Sequence, residues 1–241
     1  MSTKLTKKVI DGIAPVTLAE CVYIGDGTTL TLKDKLSSLP SVSAPYQAKY
    51  TKWVSIGDSI TYGGWGNEAN KILNIPTYIN LAVSGTTLHN GNGFIKQATL
   101  VEVDTDLVTI MGGTNDMSWF NGEFGSKGKG EFSTNFENYD MDTFIGSYQK
   151  IIETLYQKNP KIKIILITAP RAFDKDRTFL KTINSWTKEV AEYYGLPCID
   201  SYNLLGINTI NKDTFHADNL HFNSDGNERL GEVIAHQIMS Y

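Results

Sequence analysis

Cysteine is nearly absent from this chain: Cys21 and Cys198 are its only two in 241 residues. They form neither a Cys-x-x-Cys pair nor a metal-ligand set, which excludes a disulfide scaffold and a zinc ribbon. They read as two thiols of a chain folded in a reducing compartment, and only their distance in space decides whether they could join. Long apolar runs are missing too. No stretch approaches the roughly 20 residues a membrane helix needs. No apolar segment follows the basic opening Met1-Ser2-Thr3-Lys4-Leu5-Thr6-Lys7-Lys8, as a secretory signal requires. The expectation is a soluble protein made in the cytoplasm without a signal peptide. Nor is there an excess of either charge: 22 Lys and Arg against 26 Asp and Glu give a formal net charge of −4. Nucleic acid and anionic membranes are therefore not expected partners. The lysines at 4, 7 and 8 and at 127 and 129 form short groups that read as solvated surface.

What remains is an ordinary globular composition, 41% hydrophobic and 20% charged, with room for one sizeable core and a small appendage. The appendage is residues 1–47. Asp26-Gly27 lies between two β-rich stretches, Thr17 to Ile24 and Thr28 to Leu32, which predicts a small hairpin. A short helical pattern follows near Leu32 to Leu39. The Ser/Pro-rich run Ser37-Ser38-Leu39-Pro40-Ser41-Val42-Ser43-Ala44-Pro45 marks a domain boundary. So short a segment rarely folds alone, so it is expected to dock on the main domain, a partner subunit or a neighbouring chain.

From residue 48 onward strands and helices alternate. Apolar runs at Trp53 to Ile56, Tyr78 to Val83, Leu107 to Met111, Ile162 to Thr168 and Cys198 to Ile199 predict five strands. The fourth is β-branched and almost continuously apolar, as a strand covered on both faces should be. Phe144, Tyr148, Ile151, Ile152 and Leu155 share one helical face, and Asn159-Pro160 ends that helix. Further helices fit Asn67 to Leu73, Thr178 to Tyr194 and Ser224 to Met239, with caps at Asn67 and Ser224. Such alternation implies a parallel sheet wrapped by helices, with functional groups at the carboxyl ends of the strands. The glycine-rich stretch Trp119 to Tyr139 breaks the rhythm directly after the third strand, and is expected to hang over the site as a substrate-contacting flap.

Four polar clusters fall at those strand ends or before a helix. Gly57-Asp58-Ser59-Ile60-Thr61 can expose a serine Oγ beside its own N–H, although a helix cap or an Asx turn explains the same residues. It is not the Gly-x-Ser-x-Gly elbow, since Thr61 occupies the second glycine's place. Ser84-Gly85 offers a backbone N–H that a ligand can approach closely, or an ordinary loop glycine. In Gly112-Gly113-Thr114-Asn115-Asp116, the Asn115 amide can donate to an oxyanion or serve a local turn. Asp218-Asn219-Leu220-His221 spaces a carboxylate three residues from an imidazole, which suits a fixed tautomer whose other nitrogen faces the serine. His216 complicates that choice. Asp213, His216, Asp218 and His221 could alternatively be read as a metal set. His89 sits in an Asn/Gly-rich loop that could border the site, and His236 on the last helix reads as a surface or packing residue.

Together the clusters resemble the SGNH hydrolases, also called the GDSL-type lipase/esterase family, over residues 49–241. Ser59, Gly85, Asn115 and His221 match the four signature residues in order. Ile60 stands where the name-giving leucine sits, and Asn80-Leu81-Ala82 replaces the Asn-x-Gly lead-in of the second block. The resemblance implies a flavodoxin-like three-layer α/β/α fold with a five-stranded parallel sheet. It also implies ester hydrolysis through an acyl-serine intermediate, without cofactor or metal. Ser59 would attack, His221 would act as base then acid, and Asp218 would orient His221. The Ser59 and Gly85 N–H groups and the Asn115 side chain would hold the oxyanion.

Family members act on lipids, thioesters, acetylated sugars and aryl esters, so the motifs leave the substrate open. The aromatics Tyr62, Trp65, Trp119 and Phe120, and the lack of a long apolar lid, favour a sugar-linked acetyl ester. Asp58, Tyr62, Trp119 and Phe120 are the expected substrate contacts. Ala19 to Leu30, followed by Leu32-Lys33-Asp34-Lys35-Leu36, is similar to connector segments of phage and prophage tail or baseplate proteins. That similarity implies a virion-associated deacetylase of bacterial surface glycans, joined into a homo-oligomer or to a tail partner through residues 1–47. The competing readings are an intracellular thioesterase or lysophospholipase, and a non-catalytic carbohydrate- or receptor-binding module.

Overall fold

The computed structural model describes residues 22–23, 29–30, 48–89, 93–116, 128–135, 138–174 and 179–241. The chain divides into two compact units, Met1–Tyr46 and Gln47–Tyr241. In the first, strand β1 (Val22–Tyr23) pairs antiparallel with β2 (Thr29–Leu30), two short strands on either side of Asp26-Gly27. The helical pattern near Leu32 to Leu39 lies outside the described residues, as do Trp119 and Phe120.

The second unit is built on β3 (Lys52–Gly57), β4 (Thr77–Asn80), β5 (Leu107–Met111), β6 (Lys163–Ile167) and β7 (Cys198–Ile199). All pair in parallel, in the order β4-β3-β5-β6-β7. The first strand of the unit thus sits second, and the order reverses between β3 and β5. Ligand crevices of open α/β sheets form outside the carboxyl ends of the strands at such a point. Gly57 pairs with Met111, so both strands end level there and the residues after them emerge side by side.

Side chains alternate across the sheet as the pleat demands. Val54, Ile56, Val108, Ile110, Ile164 and Leu166 join one core with α3 (Phe94–Leu100), α4 (Phe144–Lys158) and α5 (Leu180–Tyr194). On the opposite face Trp53 packs its ring 6.0 Å from that of Trp65 and 4.3 Å from that of Tyr78. Its indole N–H donates to Thr109 Oγ1 at 2.9 Å, which satisfies a polar group that burial would otherwise leave costly. Trp65 opens α2 (Trp65–Leu73), which packs against the last helix, α8 (Ser224–Ser240). Two helical layers on a parallel sheet make the three-layer α/β/α architecture. No helix among the described residues is long and apolar enough to cross a membrane.

Element ends differ from the sequence expectation where side chains reach across the chain. β4 stops at Asn80 instead of Val83, because the Asn80 side chain turns the strand out: its Oδ1 accepts from Ala82 N and its Nδ2 donates to Thr61 O. α2 starts at Trp65, ahead of Asn67, because Gly64 at φ 107° lets the chain reverse directly into the helix. Asn223, not Ser224, caps α8, its side chain accepting from Gly226 N at 3.0 Å. The stretch expected as a flap is described at Gly128–Asn135 and Asn138–Tyr139, and this part packs along α4 and α5. Phe144 N donates to Gly128 O and Gln149 Nε2 to Ser133 O, Lys129 pairs with Glu189, and Phe132 stacks on Tyr193.

The contact between α2 and α8 is closest at Gly231. A Cβ there would stand 2.7 Å from Trp65 O and 2.8 Å from Ala69 N, backbone atoms that cannot step aside. Gly231→Val should therefore lower stability by about 1–3 kcal/mol through overpacking, read as a lower urea midpoint. An unchanged midpoint would mean that the helices are free to separate.

Candidate active site

β3 ends at Gly57, where Gln97 of α3 clasps both backbone groups: Gly57 N donates to Oε1 at 2.8 Å and Nε2 donates to Gly57 O at 2.9 Å. The four-residue helix α1 (Ser59–Tyr62) follows. Asp58 caps it, Oδ1 accepting from Ile60 N at 2.9 Å. Asp58, expected as a substrate contact, is fully buried, and its carboxylate serves to start the helix. Ser59 is the first helical residue, so its N–H has no partner within the helix, and the partly buried residue lies at the strand exit. Tyr62, three residues on, is 66% exposed.

The loop after β4 carries Gly85 at φ 76°, exposed, with open space where a Cβ would be. Backbone conformation is what requires glycine there. The loop is tied to the strand end by Val83 N donating to Gly57 O at 3.1 Å. From the loop after β5, Asn115 Nδ2 donates to Thr86 O at 3.0 Å. An amide has two N–H donors, so this bond fixes the side chain and leaves one donor for a ligand.

Beyond the short α6 (Ser201–Leu204), the third part comes from the segment between α7 (Lys212–Phe215) and α8. A bridge between His216 and Phe222, with Ala217 N donating to His221 O and Asn223 N to Phe215 O, shapes it into a tight reversal. Within it Asp218 Oδ1 accepts the N–H groups of Leu220 and His221, both at 2.6 Å. Asp218 Oδ2 lies 2.9 Å from His221 Nδ1, and His221 Nε2 lies 3.1 Å from Ser59 Oγ. Partial burial pushes the Asp218 carboxyl up, but the bonds from the His221 ring and the two N–H groups prevail and hold it down at about 2. An ionised carboxylate places the imidazole proton on Nδ1 and leaves Nε2 as the acceptor for the serine hydroxyl.

The other histidines stand apart. His216 is buried between the Phe173 and Phe222 rings, centroids 5.2 and 4.5 Å away, and burial pushes its pKa down. Asp213 pairs with Lys212. Among the described residues no group of three or more His, Cys, Asp or Glu is placed to hold a metal ion. His89 is buried behind the site, with Nδ1 3.5 Å from Asp116 Oδ1. Burial pushes the Cys198 thiol up to about 12, so it offers little competing thiolate. The sequence does not mark out Gln97, Thr86 and Asp116 as parts of the site, because their visible contribution is to bond the strand end and loops together across long separations.

Residues 55–229 match the model of the GDSL-like lipase/acylhydrolase family. The chain belongs to that family. No curated protein sequence matches it significantly. Among solved structures, the lipase/acylhydrolase from Enterococcus faecalis is 25% identical with a TM-score of 0.58, over 78% of this chain and 95% of that one. A GDSL-like lipase from Bacteroides thetaiotaomicron is 19% identical with a TM-score of 0.57, over 86% and 96%. An acetyl xylan esterase is 19% identical with a TM-score of 0.53, over 76% and 97%. This GDSL-family chain is therefore an ester-hydrolysing enzyme of the SGNH fold.

Proposed function

We propose that the chain is a serine esterase that removes small acyl groups, acetyl above all, from a carbohydrate. One observation carries the catalytic part: the unbroken line from Ser59 Oγ to His221 Nε2 at 3.1 Å and from His221 Nδ1 to Asp218 Oδ2 at 2.9 Å. Ser59 Oγ attacks the ester carbonyl while His221 Nε2 takes its proton. The Ser59 and Gly85 N–H groups and the Asn115 amide receive the negative charge on the carbonyl oxygen. Collapse of the tetrahedral intermediate passes the proton from His221 to the departing alcohol and leaves acyl-Ser59. Water then gives a proton to His221 and attacks the acyl carbon, and His221 passes that proton to Ser59 Oγ as the acid departs.

The acyl preference rests on openness. The His221 and Asp218 side chains are 44% and 56% exposed, and Gly85 and Tyr62 are exposed too. Such a site gives a long alkyl chain little apolar surface, whereas a flat exposed ring like Tyr62 suits a sugar face. The likeness to an acetyl xylan esterase supports the same choice. We further propose bacterial surface glycans as the target and residues 1–47 as the assembly segment, which is what the resemblance noted for residues 19–36 implies.

The test is a substrate panel: p-nitrophenyl acetate, acetylated xylan and cell-wall glycans, acyl-CoA and lysophospholipid. The highest kcat/KM is expected on an acetylated glycan; faster turnover of acyl-CoA or lysophospholipid would displace the sugar reading. Asn115→Ala should lower kcat by about 10²–10³, the usual effect of losing one oxyanion donor.

A further inference from the structure

Asp116 follows Asn115 and points the other way, into the protein, where it is fully buried. Its Oδ1 accepts from Leu88 N at 2.9 Å and lies 3.5 Å from His89 Nδ1. Its own N–H closes a turn onto Gly113 O. Two adjacent residues of the loop after β5 thus reach two nearby points of the loop after β4, Asn115 to Thr86 O on the ligand side and Asp116 to Leu88 N beneath. Gly85 and the Asn115 amide sit on the two loops these bonds join.

We propose that Asp116, backed by His89, is the positioning residue that fixes the spacing between the oxyanion donors of Gly85 and Asn115. Only an acceptor at this point can satisfy the buried Leu88 N–H, and the bond pins its loop three residues past Gly85. The inference rests on the oxyanion roles proposed above. The charge state fits it. Burial, joined by repulsion from Asp58, pushes the Asp116 carboxyl up to about 8 against the pull of backbone groups of Leu88, His89 and Gly113. That shift favours the neutral carboxyl, so Asp116 itself adds little negative charge beneath the developing oxyanion. Asp58 capping α1, Tyr148 on α4 and His89 are titratable groups close to it, and burial pushes His89 toward its neutral form against the opposing pull of Asp142.

The experiment is a double-mutant cycle of Asp116→Ala and Asn115→Ala on the full chain, with kcat and KM for p-nitrophenyl acetate. Misplacement of a reacting group by about an ångström costs on the order of 10²-fold, so Asp116→Ala should lower kcat by about that factor with KM nearly unchanged. In the Asn115→Ala background the same change should cost far less, because Asp116 acts largely through that donor. Asp116→Asn, which keeps an acceptor for Leu88 N–H, should restore kcat to within about threefold. If the alanine variant does not fold, Asp116→Leu, which fills the space without accepting a bond, enters the same cycle. Equal losses in both backgrounds, or an unchanged kcat, overturn the positioning role while an impaired Asn115→Ala keeps the oxyanion reading standing. An unimpaired Asn115→Ala removes both.

Discussion

Ser59→Ala should abolish turnover of p-nitrophenyl acetate, with kcat falling by on the order of 10⁶, the cost of removing a triad nucleophile. The fold should not notice. α1 is capped by Asp58 Oδ1 bonding Ile60 N, and Tyr62 N closes the turn onto Asp58 O; neither bond uses the serine hydroxyl, whose contact is the His221 ring. Alanine is also a better helix former than serine. The unfolding midpoint should therefore match the wild type while the activity is gone. A serine-directed fluorophosphonate should add its mass to the Ser59 peptide of the wild type alone. The comparison with Asn115→Ala is the decisive part. An oxyanion donor and a nucleophile differ by three to four orders of magnitude in their usual cost, so equal residual activity in the two variants would refute the division of roles.

How much of this could be seen in the sequence depended on the range of the forces involved. β5 and β7 lie where their apolar runs place them, and β6 within one residue at either end, because a strand buried on both faces must be apolar throughout. The helix Phe144–Lys158 was equally plain, its apolar face at helical spacing and its end marked by Asn159-Pro160. α3 was not legible: seven residues behind a glycine-rich loop carry too little periodicity to separate from a turn. Orientation was the other blind spot. Asp58 and Asp116 each stand beside a residue of the site, and nothing local tells whether such a carboxylate faces substrate or interior. Both are buried, and for Asp116 the partner lies far along the chain, 28 residues away at Leu88. Asp218 was legible because its partner is three residues away and the turn that joins them is local. The cap of α8 shifted by one residue because Asn223 and Ser224 are both good caps, and only the chain path chooses between them.

Asp218→Asn should lower kcat by about 10⁴ with little change in KM, although it swaps one oxygen for a nitrogen. The backbone settles which atom changes. Asp218 Oδ1 accepts two N–H groups at 2.6 Å, from Leu220 and His221. An asparagine must keep its oxygen there, since its NH₂ would face two donors and leave them unsatisfied. The turn thus survives, and the NH₂ takes the place of Oδ2 opposite His221 Nδ1. A donor at that point requires Nδ1 to be the acceptor, which moves the ring proton to Nε2, the nitrogen that faces Ser59 Oγ at 3.1 Å. Such a ring cannot accept the serine proton. In the wild type the same carboxylate, held at about 2, stays ionised across the working range. Protonation of Asp218 therefore contributes nothing to the pH dependence of activity between about pH 5 and 8. Steady-state kinetics of the asparagine variant, with nitrogen-15 shifts of the His221 ring to read the tautomer, check both halves of the argument. A loss of less than about tenfold, or a ring still protonated at Nδ1, would mean that Asp218 serves the turn and not the base.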